Sequence, residues 1–172
     1  MPMRTLLTIS VLLTVLYTGA VTWKRRKLPE SISAMVFELP TRWRVVWSLW
    51  LALVTLFLYP ALSGATTSSL GSLASGATIV CLAMTAAMPL VPGNYNNAHY
   101  VTSIAAGIFS QVSVFFICPW CLLSWLAVIV LPYIDGKWNV PGLPMWLIEV
   151  KVLIMEALCS ISLFGALYVY HF

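Results

Sequence analysis

Long apolar runs separated by short polar loops dominate this chain of 172 residues. An α-helix needs about 20 predominantly apolar residues to cross the hydrocarbon core of a bilayer. The runs predict six spans, over residues 5–23, 43–62, 69–91, 99–118, 120–134 and 145–168. The pattern therefore predicts an all-α, polytopic transmembrane bundle that forms one domain over residues 1–172.

The fifth span follows from an interruption of the apolar pattern at Pro119. A continuous helix from His99 to Ile134 would be about 54 Å long at 1.5 Å per residue, and the hydrocarbon core is about 30 Å thick. We therefore expect the chain to reverse at Cys118–Cys121 and to return through residues 120–134. If this short run does not cross, a five-span arrangement results.

The composition indicates that this chain is surrounded by lipid rather than by water. Hydrophobic residues make up 61% of it and charged residues 8%, whereas a soluble domain carries about 25% charge. The net charge of +4 lies in loops beside the spans and forms no basic stripe on a soluble face, so nucleic acid is not an expected partner. The expected partners are membrane lipid and, in a larger assembly, other membrane subunits or further copies of the chain.

Positive charge is concentrated at one level of the predicted bundle. Seven of the nine Lys and Arg residues lie within residues 24–44 or at Lys137. Loops rich in Lys and Arg stay on the cytoplasmic side. This rule predicts residues 24–44, 92–98 and 135–144 on the cytoplasmic side of a bacterial inner membrane, with both termini outside.

Small residues recur at helical spacing on the third and fourth spans. Such residues let transmembrane helices approach closely, where van der Waals packing holds them together. We expect these two spans to form a tight hairpin through the following residues: Ser68, Ser72 and Gly76; Gly71 and Ser75; Ser103 and Gly107.

Glu156 is the costliest residue in the chain, because it lies eleven residues into the sixth predicted span. An ionised carboxylate at the centre of a bilayer costs about 2.5–3.5 kcal/mol on insertion scales. Gln111 and Cys81 fall at nearly the same depth, so we expect a buried polar layer in which Glu156 hydrogen-bonds Gln111. This layer has two interpretations: a proton or ligand site, as in a transporter or channel subunit, and a structural hydrogen bond made by a neutral Glu.

A second polar cluster is predicted at the cytoplasmic side of the bundle. The topology brings Ser31, Ser33, Glu38, His99 and Glu149 to one level. His99 opens the fourth span and has two interpretations, a general base or ligand at a binding site and an interfacial helix cap. A single His among scattered carboxylates does not have the spacing of a metal site, so no metal is expected.

Cys118-Pro119-Trp120-Cys121 is a CxxC motif at the predicted outer end of the bundle. A CxxC pair supports a low-pKa thiol and a reversible disulfide. The motif resembles the redox-active pair of vitamin K epoxide reductase-like and DsbB-like membrane proteins. The resemblance implies a quinone-coupled thiol–disulfide oxidoreductase that uses Cys118 and Cys121. Those families relay electrons through a second cysteine pair in a loop, whereas Cys81 and Cys159 lie within predicted spans. Two small apolar residues at a proline turn are the other interpretation.

The chain as a whole is similar to a group of uncharacterised small polytopic inner-membrane proteins of Bacteroidales. The shared elements are Pro29–Ser33, His99-Tyr100, Pro119-Trp120 with Leu122 and Leu123, and Trp146–Val150. The group implies no activity, but the resemblance directs attention to Ser31, Ser33, His99 and Glu149.

No phosphate-binding glycine loop, HExxH motif or nucleophile elbow occurs in the sequence. We therefore expect a membrane protein that serves binding or assembly, or that handles a lipid or small solute at its cytoplasmic polar cluster. Whether it is an enzyme stays open. The alternatives are the oxidoreductase and the transport subunit, and a quinone is the expected cofactor of the first alone.

Overall fold

The computed structural model describes residues 3–25, 31–33, 35–38, 40–91, 96–127 and 151–171, and these contain six α-helices and two 3-10 helices joined by short non-helical segments. The α-helices are α1 (Met3–Arg25), α2 (Met35–Glu38), α3 (Thr41–Ala65), α4 (Ser69–Ala87), α5 (Asn96–Ile117) and α6 (Lys151–His171). The 3-10 helices are Met88–Leu90 and Pro119–Trp125. No strand occurs in the described ranges, so the all-helical prediction is confirmed there.

Five helices are long and apolar enough to cross a membrane, which makes this a multi-pass membrane protein by length and composition. Their spanning segments are Met3–Ala20, Arg42–Ala65, Ser69–Leu90, Asn97–Ile117 and Leu153–His171. The first four predicted spans match the observed helices closely. The predicted fifth span differs, because its described beginning is the 3-10 helix Pro119–Trp125, and its remainder lies outside the described residues, as does the start of the sixth.

Proline and serine set several helix boundaries. Pro119 cannot donate a backbone hydrogen bond to α5, and Cys118 before it is extended, with φ −155° and ψ 88°. At the start of α4, the Ser68 hydroxyl accepts a hydrogen bond from the Gly71 backbone N–H at 3.0 Å. This cap satisfies one of the four amide groups that have no partner in the first turn of a helix.

The two ends of the chain lie at the same end of the bundle. Arg4 Nε donates to the backbone oxygen of His171 at 3.3 Å, and the Thr8 and Tyr168 hydroxyls meet at 2.9 Å. One hydrophobic cluster packs at this end, around Leu58, Leu62, Val114, Leu163 and Leu167. The first and last described helices are thus antiparallel neighbours.

A second hydrophobic cluster packs around α2 and the first half of α3. It contains Val36, Trp47, Trp50, Leu51, Val54 and Ala86. Tyr17 of α1 stacks on Trp50 with ring centroids 4.5 Å apart, and Trp50 Nε1 donates to the Leu13 backbone oxygen at 3.0 Å. Because Val36 is fully buried, the short helix after the first span packs into the core.

Helices α4 and α5 form the predicted close pair, but only one of the predicted small-residue faces makes the contact. Gly71 and Ser75 are buried, and the Ser75 hydroxyl donates to that of Ser113 at 3.3 Å. Ser72 and Gly76 are exposed. Close approach of backbones is therefore confirmed for the face that carries Gly71.

A methyl group at Gly71 would disturb this contact. A Cβ there would lie 2.8 Å from Ser68 Oγ and 3.1 Å from Phe116 Cβ, so either the helix cap or α5 must shift. We expect Gly71→Ala to lower the free energy of unfolding by about 1–2 kcal/mol, as overpacking does, in detergent-based equilibrium unfolding. Gly76→Ala is the matched control, because a Cβ there meets nothing within 4 Å. Equal stability of the two variants would contradict the close approach.

Candidate functional site

The carboxylate of Glu156 is bound by three consecutive residues that precede α2. The hydroxyls of Ser31 and Ser33 donate to Glu156 Oε1 at 2.8 Å and 2.6 Å. The Ser33 backbone N–H donates to the same oxygen at 3.2 Å, and the Ile32 backbone N–H donates to Oε2. Three donors converge on Oε1 and one reaches Oε2, so the segment 31–33 is fastened to α6 through this one side chain.

His99 holds the other side of the same segment. Its Nε2 lies 2.8 Å from the Ser33 backbone oxygen, and its Nδ1 lies 3.1 Å from the Thr85 backbone oxygen at the end of α4. The side chain is fully buried. Ser33 therefore joins His99 to Glu156: its carbonyl contacts the ring, and its N–H and hydroxyl contact the carboxylate.

Aromatic rings from three helices surround His99. Phe37 meets it edge-on with centroids 4.9 Å apart, Trp47 lies at 5.5 Å and Tyr100 at 6.1 Å. These distances are those of aromatic pairs and of cation–π contacts. The ring is thus fixed by two hydrogen bonds at its nitrogens and by packing on its faces and edges.

A cavity of about 1170 Å³ extends from this cluster along the bundle. Its walls are chiefly apolar side chains of α3, α5 and α6, among them Leu51, Leu58, Ile104, Phe115 and Leu163. The volume exceeds the roughly 300–1,000 Å³ of a typical small-molecule pocket. Ile104 and Ile108 line it and are 62% and 60% exposed, so the cavity opens on the side of the bundle along α5.

Polar groups of the cavity concentrate at two levels. Ser31, Ser33 and Glu156 stand at one end, with Tyr100, Ser103 and Ser160 near them. Gln111, Ser110 and Trp125 lie further along, towards the level of Cys159. This combination of apolar walls and a few convergent polar groups is characteristic of ligand sites.

The predicted hydrogen bond between Glu156 and Gln111 is wrong. Gln111 Oε1 accepts from the Ser162 hydroxyl at 2.6 Å and from Trp125 Nε1 at 2.8 Å, while its Nε2 donates to the Cys159 carbonyl at 3.3 Å and to Ser110 Oγ at 3.0 Å. Gln111 therefore lies one to two helical turns beyond Glu156 along α6. In place of the single polar layer that was predicted, Glu156 and Gln111 therefore belong to two separate sites.

Cys81 does not join either site. It is half-buried on α4, while its helix contributes Thr78, Leu82 and Thr85 to the described cavity wall. No cluster of three His, Cys, Asp or Glu side chains suited to a metal ion occurs in the part of the chain that the structure describes.

Cys118 and Cys121 are free thiols at the start of the 3-10 helix. The Cys121 N–H donates to the Cys118 carbonyl at 3.0 Å, so the two residues are neighbours across the first turn of this helix. Burial, together with the nearby Cys118 thiol, raises the pKa of the Cys121 thiol to about 11. The motif therefore places two thiols side by side but favours the protonated, unreactive form of Cys121.

Two carboxylates of the predicted cytoplasmic cluster cannot be placed. Glu149 lies outside the described residues, and the side chain of Glu38 is likewise outside them. Ser31, Ser33 and His99 do come together as predicted. The carboxylate that meets them is Glu156, which the sequence assigned to a different site.

Comparison of the chain with known protein families, with curated proteins and with solved structures produced no match.

Proposed function

We propose that this protein binds an amphipathic lipid or a small apolar solute in the cavity between α3, α5 and α6. The observation that carries the proposal is the cavity itself, about 1170 Å³ with chiefly apolar walls and one polar end. Burial of apolar surface contributes about 25 cal/mol per Å², so an apolar chain along these walls supplies affinity. The polar end at Ser31, Ser33 and Glu156 selects the head group.

We further propose that the chain crosses a bacterial inner membrane six times, with both termini outside and the polar end of the cavity on the cytoplasmic side. Two contacts support an even number of crossings. Arg4 meets His171 at one end of the bundle, and the end of α5 lies there too, since Val114 packs in the cluster of Leu167. Glu156, near the start of α6, lies at the opposite end beside His99. The concentration of Lys and Arg within residues 24–44 supports the orientation.

The binding proposal is tested by saturable binding of a defined amphiphile to the purified full-length protein in detergent. A photoreactive hexadecanol should reach a stoichiometry near one per chain and should crosslink within residues 104–115, which border the cavity. Gly107 lines the cavity, and its missing Cβ would meet only Cys159 Sγ, at 3.7 Å. We expect Gly107→Phe to weaken binding at least about tenfold, ~1.4 kcal/mol, by occupying cavity space.

Gly76→Phe is the matched control, since a side chain there meets open space and Gly76 is not a cavity residue. It should bind the probe as the unmodified protein does. Binding that fails to saturate, or that both variants weaken equally, would contradict a specific site in the cavity.

A second candidate function, thiol–disulfide oxidoreduction, is favoured by the proximity of Cys118 and Cys121, whose backbones are hydrogen-bonded to each other. In this reaction the two thiols form a disulfide and release two electrons and two protons, which reduce a bound quinone to the quinol. A Cys118–Cys121 disulfide that dithiothreitol opens, found in native membranes, would support it. Two permanently free thiols would remove it.

Transport through Glu156 also stays a prediction, and unchanged flux through liposomes that contain Glu156→Gln would reject it.

The raised pKa of Cys121 predicts slow alkylation at neutral pH. The thiolate is the nucleophile, and with a pKa of about 11 its population, and hence the iodoacetamide rate, should rise roughly tenfold per pH unit from pH 7 to pH 10. The rate is measured by mass spectrometry of the Cys121 peptide. Cys118→Ser is the comparison, because it removes the neighbouring thiol that contributes to the raised pKa. A rate that has already reached its plateau at pH 8 would contradict the structure.

A further inference from the structure

We propose that the cavity takes an acyl chain of a membrane lipid directly from the bilayer, through the side opening along α5. This inference rests on the proposed binding function. It names the ligand class, a bilayer lipid rather than a water-soluble solute, and the route by which the ligand arrives. It follows from the side chains at the rim of the opening, from the depth of the opening in the membrane and from its length.

The rim of the opening is a continuous stripe on α5. Its residues recur every three or four positions, line the cavity and are exposed: Tyr100, Ile104, Ile108, Val112 and Phe115. Residues at this spacing lie on one face of a helix. Met155 of α6 also lines the cavity and is exposed, so two helices contribute to the rim. Apart from the hydroxyl group of Tyr100, these side chains are apolar.

The opening lies at the depth of the hydrocarbon core. Ile108 stands at the middle of the spanning segment Asn97–Ile117, and Ile104 lies one turn before it. The middle of a spanning helix lies in the core of the bilayer, where there is no water. Acyl chains of lipids are therefore the molecules that meet the opening, and any other solute reaches it only after dissolving in the bilayer.

The length of the apolar rim matches that of an acyl chain. From Ile104 to Phe115, α5 rises about 16 Å at 1.5 Å per residue. One leaflet of the hydrocarbon core is about 15 Å thick, half of the whole core, and the acyl chain of a bilayer lipid extends through one leaflet. A chain beside α5 can therefore enter sideways over most of its length, without threading end-on through the bundle.

The wall behind the opening favours an acyl chain over water. Leu51, Val54 and Leu58 of α3 line the cavity and are buried, Leu58 to 2% exposure. An empty cavity leaves such side chains without contacts on one side. A water molecule needs about two to four polar partners, which aliphatic side chains do not offer. An acyl chain restores the contacts without removing a polar group from water.

The polar end of the cavity sets the direction of the bound chain. Tyr100 lies beside His99, with ring centroids 6.1 Å apart, and the same His99 contacts the carbonyl of Ser33. Tyrosine favours the level of the lipid head groups in membrane proteins. The head group therefore stays at the level of Tyr100 and residues 31–33, while the chain follows α5 towards Phe115.

The test uses the full-length protein in nanodiscs of phosphatidylcholine that carries a photoreactive diazirine at the middle of one acyl chain. Helix α3 supplies two sets of leucine and valine positions. The outer set is exposed and lies outside the described cavity lining: Leu49, Leu53 and Leu56. The inner set is buried and lines the cavity: Leu51, Val54 and Leu58. Lipid around the bundle should label the outer set, and a chain inside the cavity should label the inner set, with each label located by fragmentation in mass spectrometry.

Variants of α5 show whether the inner labels depend on the cavity and its opening. Gly107→Phe occupies cavity space and should lower the ratio of inner to outer labels at least about fivefold, as overpacking by 1 kcal/mol or more does. Ile104→Trp combined with Ile108→Trp adds bulk at the rim and should also lower the ratio severalfold. Val101→Trp combined with Phe109→Trp is the matched control, because both residues are exposed on α5 outside the described lining, and it should leave the ratio unchanged.

The outcomes separate this inference from the proposed function. If phosphatidylcholine labels the outer set alone while the hexadecanol probe still binds saturably, entry of a bilayer lipid is wrong and ligand binding in the cavity stands. Inner labels that the rim variant and its control change equally would overturn the route along α5. If neither probe occupies the cavity, or Gly107→Phe alters the labelling by neither, the proposed function itself is wrong.

Discussion

Replacing Glu156 by Gln is expected to lower the free energy of unfolding by about 2 kcal/mol, in the range seen when a hydrogen-bond donor inside the fold loses its acceptor. The amide keeps one oxygen for the hydroxyls of Ser31 and Ser33 but turns its NH₂ group towards the N–H of Ile32, which then has no acceptor. The loss acts where residues 31–33 meet α6.

Ser160→Ala is the matched control for this prediction. Ser160 lies one turn further along α6, lines the same cavity and donates only to the backbone oxygen of Glu156, at 2.9 Å. Its loss should change stability by no more than about 0.5 kcal/mol, as is usual for substitutions that touch no special feature. Both variants are measured by equilibrium unfolding in mixed detergent micelles. A loss in Glu156→Gln no larger than that in Ser160→Ala would contradict the role of Glu156 in holding residues 31–33.

The all-helical fold was predictable because bilayer thickness and apolar run length leave few choices. The helices α1, α3, α4 and α5 agree with predicted spans for this reason. Pro119 was the clearest local signal, and it does end α5 at Ile117. Hydropathy did not distinguish an α-helix from the 3-10 helix Pro119–Trp125, since it depends on the apolar content of a segment and not on its hydrogen-bond pattern.

The candidate site was predictable in its members but not in its arrangement. Ser31, Ser33 and His99 were placed together by topology, and Glu156 was singled out by the cost of a carboxylate in lipid. They are joined through the backbone of Ser33, and the hydrogen-bond partners of a backbone group cannot be inferred from the residue types in a sequence. Thr85 also contacts His99 through its backbone carbonyl, and for the same reason it was not predicted as a site residue.

Helix counting misplaced Glu156 relative to Gln111. Counting from residue 145 put the two side chains at nearly the same depth, but the carboxylate of Glu156 is bound by residues 31–33, which also contact His99, the fourth residue of α5. Gln111 lies twelve residues beyond His99 along α5, about 18 Å at 1.5 Å per residue, and it meets α6 at Cys159 and Ser162 rather than at Glu156.

Replacing Gln111 by Leu should lower the free energy of unfolding by about 2 kcal/mol, as expected when a buried donor loses its acceptor. Trp125 Nε1 donates to Gln111 Oε1 at 2.8 Å, and this bond ties the 3-10 helix to α5. The Ser162 hydroxyl also donates to the Cys159 carbonyl, at 3.0 Å, so it keeps a partner and contributes less to the loss. Equilibrium unfolding in mixed micelles measures the difference.

A double-mutant cycle separates the lost acceptor from the change in packing at Gln111. If the unpaired indole N–H causes the loss, adding Trp125→Phe to Gln111→Leu should cost less than Trp125→Phe does alone, with a coupling of about 1 kcal/mol. Ser103→Ala on the same helix is the control, because its hydroxyl donates only to the Tyr100 carbonyl, and it should change stability by no more than about 0.5 kcal/mol. Additive effects in the cycle would mean that Gln111 stabilises the bundle through packing rather than by accepting from Trp125.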